Sequence, residues 1–321
     1  MIQLGKKIEY LMCGSITLLA LTEAIPARAV SFISTFRPPG NTTEVRQVDS
    51  STGISTPYSL SSLQLTDIAL STTNDLFGVT YDQLYKLNPG TDTQEIKGNL
   101  GVTGMTGLGF DNKNNLFGIA GKSRTPNADG KFVGDLGFYS INTLNGIATS
   151  IPLSGSGVAD FNPTAFSFFE DANGNKISLG DAGDIVFNPY TNEFLTTSAT
   201  PNDPNNSSLF SISATGKVTL LGNINSGRVS GLTFEGGNLI GYTTNQQQIG
   251  INLVTLATSI QPVTGITMVD VNGVPTLRLV GGAASTPTTP VPEPSSTSGF
   301  IVLGVCLGTR FLMKRKQQQI E

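Results

Sequence analysis

Histidine and tryptophan are absent from this sequence of 321 residues, and each absence excludes a class of chemistry. Without histidine there is no general base of the usual kind near neutral pH, and no ligand of the type commonest in zinc sites. Hydrolases with a Ser-His-Asp triad and HExxH metalloproteases are therefore excluded. Without tryptophan the chain has neither the WD signature of WD40 repeats nor an indole platform for stacking sugars.

Cysteine and charged residues are also scarce. Cys13 and Cys306 both lie in the terminal segments described below, so the domain between them can form no disulfide. Residues 30–294 hold 12 Lys and Arg against 20 Asp and Glu, a net charge of −8, which disfavours nucleic acid as a partner. Gly, Ser, Thr and Asn are abundant instead, which indicates short strands joined by many turns.

The N-terminal segment has the three parts of a secretory signal. Lys6 and Lys7 precede a mostly apolar run at residues 11–21, and Ala27 and Ala29 follow as small residues on either side of Arg28. The apolar run is shorter than the roughly 18 residues needed to span a bilayer. We therefore expect residues 1–29 to be a signal peptide that is cleaved after Ala29.

The C-terminal segment consists of a spacer and a tail. Residues 282–298 are rich in Pro, Ser and Thr, which bury little and favour an extended linker. Residues 299–321 continue with an apolar stretch and then a basic cluster, whose charge is expected to stay on the cytoplasmic side of a membrane. The motif residues of the two parts are Val291, Pro292, Glu293 and Pro294, and then Lys314, Arg315 and Lys316.

This ordered set, a VPEP motif, an apolar stretch and a closing KRK, resembles the PEP-CTERM sorting tail of exosortase substrates in Gram-negative bacteria such as cyanobacteria. The resemblance covers about thirty residues. It implies an exosortase-type processing enzyme as a partner and transient anchoring in the membrane by the tail. It also implies delivery to the cell surface or extracellular matrix, and it implies nothing about the domain between the two ends.

The middle of the chain contains an internal repeat. Its first part is a hairpin of two apolar strands around a turn rich in Asn, Asp and Gly, and its second part is a hairpin that ends in a Thr-rich strand. The first kind occurs at residues 66–80, 106–120, 183–197, 230–243 and 264–280. The second kind occurs at residues 45–60, 84–98, 138–153, 209–223 and 251–263.

The repeat predicts an all-β fold, a β-propeller of about five four-stranded blades within residues 30–281. The hairpin at residues 45–60 has no partner before it, and the one at residues 264–280 has none after it. We therefore expect these two hairpins to form one blade that closes the ring. A further hairpin at residues 166–179 leaves six blades open, and the irregular spacing leaves a β-sandwich open.

An alignment of the innermost strands places two carboxylates in one column, Asp67 and Asp184, together with glycines. The other members of the column are Gly107, Gly231 and Gly265. If both carboxylates face a central funnel, they could bind a cation or act as an acid and base pair, as in glycosidases. In that arrangement their charges repel, and Asp184→Asn is expected not to lower stability. The alternative is that they only hydrate the mouth of the channel.

A second candidate site is the loop that contains Asp171, Asn173 and Asn175. Its alternating oxygen side chains resemble a calcium loop, but glycine occupies the fourth position and Ala182 the twelfth, where a glutamate is usual. An ordinary Asn-Gly hairpin turn explains the same segment.

Two functions follow from these observations. The favoured one is an exported surface or matrix protein with a non-catalytic propeller that binds extracellular polysaccharide or a surface protein, without a cofactor. The alternative is a propeller glycoside hydrolase or lyase that works through the channel carboxylates, with calcium as a cofactor.

Overall fold

The structure is a computed structural model, and it describes residues 31–37, 42–121, 137–153, 168–170, 176–178, 182–200, 203–266 and 280–286. Within these ranges all regular structure is β, and no helix is long and apolar enough to cross a membrane. In chain order the strands are β1 (Ser31–Arg37), β2 (Thr42–Val48), β3 (Ser55–Ser61), β4 (Asp67–Leu70), β5 (Leu76–Val79), β6 (Gln83–Asn88), β7 (Thr93–Asn99), β8 (Met105–Phe110), β9 (Leu116–Ala120), β10 (Gly137–Ile141), β11 (Ala148–Ile151), β12 (Phe168–Glu170), β13 (Lys176–Ser178), β14 (Ala182–Asn188), β15 (Glu193–Thr200), β16 (Asp203–Ser213), β17 (Val218–Ile224), β18 (Val229–Glu235), β19 (Asn238–Thr243), β20 (Gln247–Ile251), β21 (Thr258–Pro262) and β22 (Val280–Ser285).

Twenty of these strands form five antiparallel sheets of four strands, arranged as a five-bladed propeller. From the centre outwards the blades are β4–β7 (blade I), β8–β11 (blade II), β14–β17 (blade III), β18–β21 (blade IV) and β22-β1-β2-β3 (blade V). Each innermost strand contacts the innermost strands of both neighbouring blades, so the five close into a ring. The predicted propeller is confirmed, and the β-sandwich alternative is wrong.

Both ends of the described chain contribute to blade V, but not as the expected pair of hairpins. Three strands come from the N-terminal side, and the innermost strand is β22, which pairs with β1. The predicted inner strand at Thr264 is wrong, because β22 takes the innermost place and Thr264 forms an isolated bridge with Ile54. Residues 267–279 of that predicted hairpin lie outside the described residues. The expected start of the linker at residue 282 is wrong as well, because residues 282–285 belong to β22.

The hairpin expected near residues 166–179 is present as β12 and β13, which form a separate two-stranded sheet. It lies in the chain between blades II and III and adds no sixth blade. The irregular spacing of the repeat therefore reflects an insertion between two blades.

The inner hairpins form where asparagine can occupy a left-handed turn position. Asn74, Asn114 and Asn192 have φ values of 63°, 67° and 57°, which asparagine tolerates better than most residues. Alternating apolar side chains on the strands then face the neighbouring blades. Each of the five seams between blades encloses an apolar cluster, and among the described residues the cluster between blades IV and V has the fewest buried members.

The outer hairpin turn of each blade rests against the outermost strand of the preceding blade. Gly98 of β7 touches the turn of blade II so closely that a Cβ there would overlap the carbonyl oxygen of Asn145. Gly222 of β17 receives Leu256 of blade IV in the same way. These contacts form an outer ring of inter-blade packing.

Candidate functional site

The structure brings Asp67 and Asp184 together at the centre of the propeller. Asp67 begins β4 of blade I, Asp184 lies near the start of β14 of blade III, and both side chains are completely buried. The two carboxyls share a hydrogen bond across the centre of the ring. The funnel open to solvent that the column suggested is therefore wrong.

The Asp67 carboxyl accepts backbone hydrogen bonds within blade I and from blade II. Its Oδ1 accepts from the Ile68 amide at 2.8 Å, and its Oδ2 accepts from the Leu108 amide at 2.5 Å. These bonds satisfy both oxygens of a carboxyl that has no access to water. Asp67 thus ties the innermost strands of blades I and II together.

The Asp184 carboxyl accepts three amide hydrogen bonds from three blades. Its Oδ1 accepts from Ile185 at 2.6 Å. Its Oδ2 accepts from Leu232 of blade IV at 2.7 Å and from Ala283 of blade V at 2.9 Å. The pair of carboxyls therefore contacts the innermost strand of every blade, and we call the two residues the carboxyl hub.

Glycines make room for the carboxyl hub. A Cβ at Gly282 would overlap Oδ1 of Asp67, and a Cβ at Gly231 would press on Ala283. The fifth member of the central column is therefore Gly282, and the predicted Gly265 is wrong because the chain reaches the centre through β22. Gly107, as predicted, lies in the column, where a Cβ would meet side chains of two strands.

Burial and mutual repulsion keep at least one proton on this pair at neutral pH. Burial raises the pKa of Asp67 well above its usual range, and the neighbouring Asp184 raises it further. Burial also raises the pKa of Asp184 to about 7, while the hydrogen bond with Asp67 and three amide donors lower it. Because Asp184 has more donors, we place the proton on Asp67, whose hydroxyl donates to Asp184.

Beside the carboxyl hub the innermost strands line a small cavity, mainly with apolar residues, with space for solvent of about 20 Å³. This volume is close to that of one water molecule. Both carboxyls are completely buried, so neither is open to a substrate in this structure.

The other residues singled out in the sequence lie outside the described ranges. They are Asp171, Asn173 and Asn175 of the calcium-like loop, Ala27 and Ala29 at the cleavage site, and Val291, Pro292, Glu293, Pro294, Lys314, Arg315 and Lys316 of the tail. Among the described residues, no group of three or more Asp, Glu, Cys or His side chains is placed to hold a metal ion.

No protein-family model matches the chain, and no curated protein is similar to it in sequence. Solved structures with a similar fold include proteins described as candidate 6-phosphogluconolactonases. The one from Bacteroides fragilis is 12% identical, with 82% of this chain and 99% of that chain covered and a TM-score of 0.43. The one from Bacteroides uniformis is 10% identical, with 80% of this chain and 99% of that chain covered and a TM-score of 0.40.

The extracellular domain of a hybrid two-component system from Bacteroides thetaiotaomicron is also similar. It is 10% identical, with 77% of this chain and 29% of that chain covered and a TM-score of 0.35. At these values the likeness is one of fold alone, and the activities of these proteins carry no inference for this chain.

A second buried polar cluster lies between blades IV and V, and the sequence analysis missed it. It contains Glu235 at the end of β18, Tyr242 of β19 and Gln248 of β20. One signal could have revealed it. The equivalent position after the innermost strand is Ser71 in blade I and Asp111 in blade II, and each of these caps its own turn. In blade IV a glutamate before two glycines takes this position.

Proposed function

We propose that this protein is exported and acts at the cell surface or in the extracellular matrix, where its propeller is a rigid, non-catalytic binding scaffold. The observation that carries the scaffold role is the carboxyl hub. Its two acidic side chains accept hydrogen bonds that join all five blades, and both are buried, so neither is open to a substrate.

The geometry argues against a glycoside hydrolase that uses these carboxyls. Such enzymes place two carboxyls about 5 to 9.5 Å apart on either side of a bound sugar. Asp67 and Asp184 instead touch each other through a hydrogen bond and lie inside the protein. A sugar ring between them would require the innermost strands to separate. We therefore do not retain this alternative.

The export part of the proposal rests on the two ends of the sequence. A signal-like N-terminus, a Pro/Ser/Thr spacer and a tail that resembles PEP-CTERM tails occur in the order that such sorting needs. The domain itself has neither cysteine nor histidine, so its stability depends on neither a disulfide nor a histidine-bound metal. Extracellular polysaccharide or another surface protein is the proposed partner.

Processing at both ends tests this proposal. In the producing bacterium, the intact mass of the surface-released protein should correspond to a chain that begins near Val30 and lacks Lys314–Lys316. Replacing the residues of the VPEP motif with alanine should retain the protein in the membrane fraction. The matched control replaces Thr286, Thr288 and Thr289, which precede the motif in the same spacer, and should be released normally. A released protein that still carries its basic end would overturn the sorting role.

A further inference from the structure

Orphaned polar atoms gather at one place in the propeller. Four buried side-chain oxygens of the described residues lack a hydrogen bond of good geometry. Three of them lie at the seam between blades IV and V: Oε1 of Glu235, Oε1 of Gln248 and the hydroxyl of Tyr242, which lies near Ser31 and Thr233. A buried polar atom without a partner destabilises the folded state, because it has given up its hydrogen bonds to water. Three such atoms at one seam therefore call for a physical explanation.

Glu235 and Gln248 contact the loop at Ser50 through their other polar atoms, and the orphaned oxygens add no hydrogen bond to that contact. The Glu235 carboxyl lies near Ser50 and Thr233, but its Oε1 accepts no hydrogen bond. Gln248 uses only its amide nitrogen, which donates to the carbonyl of Ser50 at 2.6 Å. At the positions equivalent to Glu235, Ser71 and Asp111 have no orphaned oxygen, because each caps its own turn.

A groove opens directly at these residues. Glu235 and Gln248 line it, together with the loop at Ser50 and Ser51 and with strands β19–β21, and it offers space for solvent of about 820 Å³. This volume lies within the usual range for ligand sites. The remaining lining is made mostly of amide, hydroxyl and aliphatic residues and includes neither Lys nor Arg: Asn238, Leu239, Ile240, Gly250, Ile251, Asn252, Ala257, Thr258, Ser259, Ile260 and Gln261.

The unpaired atoms define the chemistry of the ligand. Carboxylate and amide oxygens are acceptors, so the ligand must supply donors. A carboxylated or sulfated chain is disfavoured, because none of the described residues that line the groove is cationic and Asp49 adds to the negative field at Glu235. An open groove with amide and hydroxyl side chains suits a chain with many hydroxyl groups.

We propose that the groove between blades IV and V binds a neutral polysaccharide segment, with Glu235 and Gln248 accepting hydrogen bonds from its hydroxyl groups. Both residues line the groove, and the terminal torsion of a glutamate side chain is broad, so a rotation of the Glu235 carboxyl can turn one of its oxygens toward a ligand. This inference rests on the proposed binding role and names the site and the ligand class for it.

The test is calorimetric titration of the domain with cellohexaose and dextran as neutral probes and with an alginate hexamer as an anionic probe. We expect at least one neutral probe to bind and alginate to bind at least tenfold more weakly. Glu235→Gln and Gln248→Met should each weaken neutral-glycan binding by roughly tenfold or more, since each removes an acceptor of the groove. Gln247→Met is the control, because its side chain points to the opposite face of the same strand.

Thermal melting of each variant shows that it is folded before its affinity is compared. If the wild type binds a neutral glycan and neither groove variant weakens it, this site is wrong while the binding role stands. If no probe binds, the ligand class is wrong. A Ca²⁺-dependent rise in melting temperature that Glu235→Gln abolishes would show a cation site instead and would also overturn the proposal. The export experiment above decides the surface role independently of these outcomes.

Discussion

The carboxyl hub makes the stability of the propeller depend on pH in a direction opposite to that of most acidic groups. Burial raises the pKa of Asp67 and Asp184 in the folded protein, so the folded state binds more protons than the unfolded state above pH 4. Stability from these groups is fully present below the unfolded pKa and is lost as pH rises through the folded pKa. For Asp184 the loss falls between about pH 4 and pH 7, and for Asp67 it continues at higher pH.

The size of the effect follows from the shift of Asp184 alone. A rise from 3.8 to about 7 corresponds, at about 1.4 kcal/mol per pH unit, to roughly 4 kcal/mol. Domains of this kind have total stabilities of about 5 to 15 kcal/mol, so the change is large enough to measure. Urea unfolding of the wild type at pH 5 and pH 8 should give a clearly lower midpoint at pH 8.

Substitutions separate the two carboxyls. Asp67→Asn carries a permanent donor toward Asp184 and never ionises. At pH 5 its free energy of unfolding should be about 1 to 3 kcal/mol lower than that of the wild type, because one backbone amide loses its acceptor. At pH 9 its free energy of unfolding should match or exceed that of the wild type. Asp184→Asn leaves at least one of three amide donors without an acceptor and should destabilise at pH 5. This reverses the expectation from the sequence, which assumed two charges in an open funnel. Glu95→Gln on the exposed strand β7 is the control and should change neither curve.

A stability that is independent of pH between 5 and 8 in the wild type would refute the shared proton. Glu235, whose pKa burial raises to about 7, titrates in the same range. The comparison must therefore be repeated in the Glu235→Gln background. If the decline disappears there, Glu235 accounts for it and the carboxyl hub does not.

Three further predictions concern packing. Gly282→Ala should destabilise the protein by roughly 2 kcal/mol or more in urea unfolding, because the added methyl group overlaps the Asp67 carboxyl. Gly98→Ala should lower the free energy of unfolding more than Gly90→Ala does. A methyl group at Gly98 meets the turn of the next blade, whereas Gly90 has open space around it and only a left-handed φ of 87°. Equal losses of stability in the two variants would contradict the outer packing ring. Deleting residues 31–61 removes three strands of blade V and exposes the edge of β22, so the fragment should aggregate in size-exclusion chromatography, and a monodisperse, cooperatively folding fragment would contradict the closure.

Local patterns in the sequence were enough to predict the strands and the repeat. Apolar residues alternate with period two on each hairpin, and Asn, Asp and Gly mark the turns, so counting hairpins predicts five blades, or six if the extra hairpin at residues 166–179 is included. The mismatch between the two ends of the repeat also predicted that both ends share one blade. These properties depend on residues close together in the chain, which is why a sequence can show them.

The tertiary structure alone decided which strand closes the ring and what the central residues do. After Val280, β22 consists only of Gly, Ala and Ser, so its sequence resembles a linker. The residues are small because the centre of the ring beside Asp67 is crowded, and at Gly282 even a methyl group would overlap the carboxyl. The alignment placed Asp67 and Asp184 in one column, but their burial and shared proton depend on strands of all five blades. The groove at Glu235 and Gln248 likewise exists only because the loop at Ser50, about 200 residues away in the chain, packs against blade IV.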